Sequence, residues 1–126
     1  MRTVLDTSVL IASDITTLDG DLAISAVSLA ELSYGVLVTA DPAERADRLR
    51  RLQEVERHFN ALPVDSTVAT AYGELAAAVV AGGRRPRTRA MDLLIAATAR
   101  AHDARLLTRN GDDLRGIEHL VDVVPV

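Results

Sequence analysis

The chain has 126 residues, a net charge of −4 and no cysteine, and all 14 of its basic residues are arginine. The absence of lysine excludes a Walker A phosphate loop and Schiff-base chemistry. The absence of cysteine excludes disulfides, thiolate zinc sites and cysteine nucleophiles. The negative net charge gives no indication of a nucleic-acid or anionic-membrane partner.

The length suits a single domain over residues 1–126, with a core built from aliphatic side chains because only three residues are aromatic. No uncharged stretch approaches the roughly 20 residues that a membrane helix needs. Asp6 and Asp14 interrupt the N-terminal apolar run, which argues against a signal peptide. We therefore expect a cytoplasmic protein with no membrane partner.

The first half of the chain contains two short apolar runs, at residues 3–5 and 22–24, that are typical of buried parallel strands. A helix is predicted over residues 28–38. A charged amphipathic helix is predicted over residues 42–59, with Asp41 as its N-cap. Residues 62–64 form a weak strand candidate that a proline shortens.

The second half continues the same alternation of helices and strands. An Ala-rich helix should run from Asp65 or Ser66 to Ala81 and end at two glycines. A basic loop follows at residues 84–89, and then a buried helix at residues 89–102 that Thr88 caps. The chain continues with a strand at residues 105–108, a polar turn at residues 109–113 and a last strand at residues 121–124. The alternation predicts a three-layer α/β/α domain with a central, mostly parallel sheet of four to five strands.

Acidic residues fall where the ends of these strands should meet. Asp6 follows the first strand, Glu31 lies early on the helix after the second, and Asp92 lies in the first turns of the buried helix. The 109–113 turn follows a later strand and carries two more acids. Ligands of parallel α/β sheets bind beyond the carboxyl ends of the strands. Carboxylates that converge there without a lysine indicate a hard divalent metal ion.

Each acid taken alone has a structural alternative. Asp6 could cap the turn that follows it, and Glu31 could form a capping box with Ser28. Asp92 could interact with the positive end of its helix dipole, and the acids of the 109–113 turn could be solvated. The coincidence of the four positions favours a shared site.

The other catalytic residue types are uninformative. His58, His102 and His119 match no zinc-binding spacing. The sequence also lacks the Gly-x-Ser-x-Gly motif of an α/β-hydrolase.

Four segments carry a resemblance to a known family. They are residues 4–10, residues 24–35, residues 91–99 and residues 107–114, and together they span nearly the whole chain. In this order the sequence resembles the PIN-domain ribonucleases, and within them the VapC-type toxins of bacterial toxin–antitoxin pairs.

The resemblance implies a PIN-like domain with Mg²⁺- or Mn²⁺-dependent endoribonuclease activity. Asp6, Glu31 and Asp92 correspond to the metal-binding and catalytic acids. At the fourth position Asn110 stands where some relatives have an acid, and it can offer a carbonyl oxygen. Asp113 is the nearest well-placed carboxylate, although Asn110, Asp112 and Asp113 all stay open for this position.

Further expectations follow from the same resemblance. The hydroxyls of Ser8 and Thr108 would support the site. Metal-activated water would hydrolyse RNA phosphodiester bonds and leave a 5′-phosphate and a 3′-hydroxyl. The expected protein partners are a small VapB-type antitoxin and a second copy of the chain in a homodimer.

The basic loop has a possible role in binding RNA phosphates. It lies immediately before the helix of Asp92, and the candidate RNA-binding residues are Arg84, Arg85, Arg87, Arg89 and Arg109. The alternative is a solvated loop.

Two other acid-pocket folds fit less well. A response-regulator receiver needs a lysine, and a haloacid-dehalogenase-like phosphatase needs an acid at the position of Ser8. The remaining alternative is a catalytically inactive PIN-fold RNA- or partner-binding domain, against which the presence of Asp6, Glu31 and Asp92 argues.

Overall fold

The sheet has five strands that pair in parallel throughout. The computed structural model describes all 126 residues. The strands are β1 (Thr3–Leu5), β2 (Leu22–Ser25), β3 (Ala61–Leu62), β4 (Arg105–Thr108) and β5 (Val123–Pro125), and their order across the sheet is β3-β2-β1-β4-β5. The predicted three-layer α/β/α fold is confirmed.

Five helices connect and cover the strands. They are α1 (Thr7–Ala12), α2 (Ala26–Val38), α3 (Pro42–His58), α4 (Ser66–Ala81) and α5 (Ala90–Ala101). Short 3₁₀ turns are formed by Ile15–Thr17, Pro86–Arg89 and Gly111–Leu114. None of the helices is long and apolar enough to cross a membrane.

The two faces of the sheet carry separate cores because successive strand residues point to opposite sides. Val4 belongs to a cluster with the buried side chains of α4 and α5. The next residue, Leu5, belongs to a second cluster with Val9 of α1, Leu32 of α2 and Val55 of α3. Alternation along a single strand thus fixes which helices cover which face.

The order of the strands creates a switch point beside β1. The chain proceeds from β1 outward to β2 and β3, then crosses to the other side of β1 to form β4 and β5. Ligand sites of open parallel sheets lie at such points, beyond the carboxyl ends of the strands. Here the strand ends in question are those of β1 and β4.

Several predicted boundaries were correct. Asp41 caps α3 by accepting from the backbone N–H of Glu44 at 3.0 Å, with Pro42 in the first turn. Asp65 caps α4 through the N–H of Val68 at 3.0 Å. The predicted stop after Ala81 also holds, where Gly83 adopts a φ of +80° that other residues rarely adopt.

Other boundaries were wrong. The helix α1 was not predicted, and α2 begins at Ala26, with Ser25 as its cap, rather than at residue 28. Thr88 does not cap α5, because its hydroxyl donates to the carbonyl oxygen of Arg85 at 3.0 Å. Part of the predicted basic loop is the 3₁₀ turn Pro86–Arg89.

Candidate active site

Asp6 lies between β1 and α1 and is surrounded by donors. Its Oδ1 accepts from the backbone N–H of Thr7 at 2.9 Å. Its Oδ2 accepts from the hydroxyls of Ser8 and Thr108, both at 2.8 Å. Only 5% of Asp6 is exposed, and these three bonds offset the cost of burying its charge.

The capping interpretation of Asp6 is therefore correct, because this residue is the N-cap of α1. A carboxylate offers about four lone-pair positions, so three bonds leave room for a further ligand. The bond from Thr108 also joins the ends of β1 and β4 across the switch point. Ser8 and Thr108, predicted as supporting residues, both hold Asp6 in place.

Glu31 is connected to Asp6 through a residue that sequence reasoning missed. The hydroxyl of Thr7 donates to Oε1 of Glu31 at 2.7 Å and lies 2.9 Å from the hydroxyl of Ser28. The proposed capping box of Ser28 and Glu31 is wrong, since Ser25 caps the helix instead by accepting from the N–H of Val27. The only available signal for Thr7 was its position next to Asp6.

Asp92 lies in the first turn of α5 and is half-buried. Its pKa is raised to about 6. Burial is the largest cause, and the negative charges of Asp6, Glu31 and Asp113 act in the same direction. The Arg89 guanidinium acts in the opposite direction. Asp6, Glu31 and Asp113 thus lie near enough to Asp92 for their charges to act on it.

The three candidates for the fourth position differ in their surroundings. Asp113 is partly buried, pairs with Arg89 at 3.1 Å and acts on the pKa of Asp92. The Asp112 side chain is 89% exposed and pairs instead with Arg115 at 3.3 Å. Asn110 is exposed, and two backbone bonds link it to the site: its N–H donates to the Thr108 hydroxyl, and its carbonyl oxygen accepts from the N–H of Asp113, both at 3.0 Å. Asp113 therefore has the best placement of the three.

The predicted RNA-binding arginines do not lie together. Arg84, Arg85 and Arg89 line one cavity beside Asp113, whereas Arg87 does not. Arg109 lies in a different depression on the other side of the Gly111–Leu114 turn. Its backbone N–H donates to the Ser8 hydroxyl at 3.1 Å.

The donor set suits a hard divalent cation in its chemistry. It consists of carboxylate oxygens. Burial, and then the charges of the other three acids, raise the pKa of Asp92, and a cation at the same place would offset these charges. The structure contains no group of three or more acidic or histidine side chains already placed to hold one ion. Direct binding of one ion by three or more of them would therefore require the carboxylates to move toward one another, whereas one or two carboxylates with bound water suffice for Mg²⁺.

Comparison with known proteins identifies the family. A model of the PIN domain matches residues 3–120. The chain belongs to the PIN-domain family. The resemblance inferred from the four sequence motifs is thereby confirmed.

Similar proteins are known from Mycobacterium tuberculosis. Ribonuclease VapC5 of strain ATCC 25618 / H37Rv is 37% identical over 115 residues, which cover 86% of this chain and 83% of the relative. Ribonuclease VapC4 of the same strain is 36% identical over 117 residues, 88% of each protein.

Solved structures agree with these similarities. In the crystal structure of VapBC-5, a member of the VapBC family of toxin–antitoxin systems from M. tuberculosis, one chain matches with a TM-score of 0.84 and 36% identity. The match covers 99% of this chain and 97% of that one. A structure of FitAB bound to an IR36 DNA fragment matches with a TM-score of 0.79 and 25% identity, over 98% and 94% of the two chains.

Proposed function

We propose that the protein is a metal-dependent endoribonuclease and the toxin component of a VapBC-type toxin–antitoxin pair. Membership of the PIN-domain family and similarity to two proteins named as VapC ribonucleases support this proposal. The observation that carries it is the placement of buried Asp6 at the switch point of the sheet, where Thr7 bonds to both Asp6 and Glu31. Burial and the charges of three acids also raise the pKa of the nearby Asp92. A group of buried and partly buried acids at the ends of the strands is typical of a functional site.

The four acids Asp6, Glu31, Asp92 and Asp113 would hold Mg²⁺ or Mn²⁺, and Asn110 could add an amide oxygen. The bound ion would supply Lewis-acid chemistry by lowering the pKa of a coordinated water and balancing the charge of the phosphate. The chain itself supplies no lysine, and none of its three histidines is among the groups that act on the pKa of Asp92. Carboxylates are therefore the groups of this site that can bind the cation and accept a proton.

The neighbouring hydroxyls have a positioning role in this proposal. Ser8 and Thr108 donate to the same oxygen of Asp6, and Thr7 donates to Glu31. These bonds restrict the rotation of two carboxylates, so less conformational entropy is lost when a ligand binds between them.

Cleavage of total RNA in the presence of Mn²⁺, followed by mapping of the new ends, tests the proposed activity. We expect cut products that carry a 5′-phosphate and a 3′-hydroxyl from the wild-type protein and none from Asp92→Asn. Asp19→Asn is the matched control, since this exposed loop acid is not among the groups that act on Asp92, and its removal should leave cleavage unchanged. Full activity of Asp92→Asn would refute the site.

The same experiment separates the enzyme from the alternative of a catalytically inactive binding domain. If the wild-type protein binds RNA but leaves it intact in Mn²⁺, and if Mn²⁺ does not raise its melting temperature, the binding domain is the correct interpretation. Stabilisation by Mn²⁺ that is lost in Asp6→Asn supports the enzyme.

We also propose a small VapB-type antitoxin and a second copy of the chain as partners. Solved structures of relatives are described as VapBC and FitAB assemblies. In this chain the second half of α2 exposes Tyr34, Leu37 and Val38 by 67%, 73% and 56%, which is typical of a protein–protein interface. Light scattering of the purified chain should give the mass of a homodimer, and a strict monomer would contradict the dimer.

A further inference from the structure

A cavity of about 490 Å³ lies beside the acidic site. One wall is the segment from Arg84 to Arg89 that joins α4 to α5, and the opposite wall is the 3₁₀ turn Gly111–Leu114 with the residue that follows it. The charged side chains that line it are Arg84, Arg85, Arg89, Arg115, Asp112 and Asp113.

The cavity is positive although the whole chain is negative. Its four arginines and two aspartates give a formal charge of +2, whereas the chain carries −4. Both aspartates are already paired, Asp113 with Arg89 at 3.1 Å and Asp112 with Arg115 at 3.3 Å. Two cations are therefore left uncompensated.

These two cations are Arg84 and Arg85. Arg84 has one long contact, from its Nη1 to the backbone oxygen of Asp112 at 3.5 Å. The guanidinium of Arg85 forms no ion pair or hydrogen bond, although the backbone oxygen of Arg85 accepts from the Thr88 hydroxyl. A guanidinium without a carboxylate partner keeps its donors available for the oxygens of an anion. Only two of the nine lining residues are hydrophobic, so the cavity suits a charged group better than an aromatic base.

The cavity and the acidic site share Asp113, which lines the cavity and also acts on the pKa of Asp92. An extended polyanion that places one phosphate at the acids would bring a neighbouring phosphate to the arginines. The pairing with Arg89 and Arg115 also keeps Asp112 and Asp113 from repelling that phosphate.

We propose that this cavity binds a backbone phosphate of RNA next to the phosphate that is cleaved, with Arg84 and Arg85 as its direct contacts. The proposal rests on the proposed ribonuclease function for the identity of the ligand. It narrows the predicted group of RNA-binding arginines, because Arg87 lies outside the cavity, and it adds Arg115 as a wall residue that sequence reasoning missed. Contacts with phosphate carry no base selectivity, so the cavity orients RNA without reading its sequence.

The test measures RNA binding separately from cleavage. Fluorescence anisotropy of a short, labelled single-stranded RNA of mixed sequence is recorded against full-length protein in EDTA over a series of salt concentrations. Each phosphate contact that is lost should reduce the slope of log K against log salt by about 0.7. We expect this reduction, with a raised Kd, in Arg85→Gln and a larger one in the Arg84→Gln/Arg85→Gln double variant.

Arg87→Gln is the matched control. It removes the same charge from the same exposed segment but leaves the cavity lining intact, so its slope and Kd should equal those of the wild type. Equal losses in Arg87→Gln and Arg85→Gln, unchanged binding in the double variant, or no salt-sensitive binding by the wild type would each overturn the proposal. All exchanged residues are exposed, and unchanged circular dichroism spectra would verify that the variants are folded.

The outcomes also separate this proposal from the proposed function. Arg85-dependent binding by a wild-type protein that never cleaves RNA would refute the enzyme and keep the phosphate site. Cleavage by a protein whose RNA binding is indifferent to Arg84 and Arg85 would refute the phosphate site and keep the enzyme.

Discussion

Asp6 and Asp92 are both acids of the same site, yet their surroundings differ. Asp6 is buried and accepts three hydrogen bonds, from a backbone N–H and two hydroxyls. Asp92 accepts no hydrogen bond from a neighbouring side chain, and burial, followed by the charges of three other carboxylates, raises its pKa. Asp6 is thus the fixed acid of the pair, whereas the charge of Asp92 depends on what else is bound.

Asp92→Asn should stabilise the metal-free protein at neutral pH. The pKa of Asp92 is raised from 3.8 to about 6 on folding, so the folded state binds the proton more tightly and stability falls as the pH rises through this interval. Because the side chain is half-exposed, solvent screening reduces the full effect to about 1–2 kcal/mol.

Urea unfolding in EDTA at pH 4 and pH 7 measures this effect. The variant should gain stability over the wild type at pH 7 and lose most of that advantage at pH 4. Asp19→Asn, an exposed loop acid, should show no such difference. An Asp92→Asn variant that is less stable than the wild type at pH 7 would contradict the repulsion among the acids.

Thr108→Val should destabilise the protein and reduce activity. The hydroxyl of this fully buried residue donates to Asp6 and accepts from the N–H of Asn110. Loss of both bonds leaves a buried carboxylate with one donor fewer, at a cost of about 1–3 kcal/mol. Urea unfolding compares it with Thr108→Ser, which keeps the hydroxyl and should retain the bonds and most of the activity. Equal stability of Thr108→Val and the wild type would show that Asp6 does not need this donor.

At the scale of single residues, the sequence indicated candidate acids and hydroxyls for the site but not every hydrogen bond among them. Asp6 was identifiable because it directly follows β1, and Ser8 and Thr108 were named through the family resemblance. Thr7 was not, because its role depends on the approach of α2 to α1, which local sequence does not encode. The preference for Asp113 over Asp112 likewise depends on which side of a 3₁₀ turn faces α5.

Helix α5 is the element that fixes the site, since it carries Asp92 at one end and packs on the sheet along its length. Ala96, Ala97 and Ala99 are fully buried within the core that also contains Val4 and Leu106. Small side chains at these positions let the helix approach the strands closely and set the height of Asp92 above their ends.

Ala96→Leu should therefore cost stability and displace Asp92. Adding three carbons to a packed core typically costs about 1–3 kcal/mol through strained side chains and backbone shifts. Thermal unfolding and RNA cleavage should both be impaired. Ala77→Leu is the matched control, because it is an exposed position in the middle of α4 and should change stability little. A neutral Ala96→Leu would show that the helix can move away from the sheet without loss.

The elements that sequence reasoning predicted best are those with strong local signals. The capped, amphipathic helices α3 and α4 were found nearly to the residue. The six residues of α1 were missed, because short helices rich in β-branched side chains have weak intrinsic propensity. Burial of Val9 and Leu10, a tertiary effect, stabilises that helix.

For the molecule as a whole, net charge is a poor guide because the charges are segregated. Three acids act on the carboxyl of Asp92 near the switch point, and four arginines line the cavity beside Asp113. The net charge of −4 averages over these opposite regions. The proposed pair of functions, cation binding and RNA binding, requires this segregation, since the cation must turn the acids from repelling phosphate to attracting it.

The stability of the whole molecule should respond to Mn²⁺ in a pH-dependent way. Binding to the folded state alone raises stability by RT ln(1 + [L]/Kd), and carboxylates bind a cation only when they are deprotonated. Because the pKa of Asp92 is about 6, the increase in melting temperature on adding Mn²⁺ should be small at pH 5 and should grow up to pH 7.5. The metal-free protein should show the opposite trend over the lower part of this range, as its stability falls while Asp92 loses its proton.

Differential scanning fluorimetry with Mn²⁺ and with EDTA measures both trends. Asp6→Asn should lose the stabilisation by Mn²⁺ and Asp19→Asn should keep it. An increase that is equal at both pH values, or that survives in Asp6→Asn, would place the metal elsewhere on the chain.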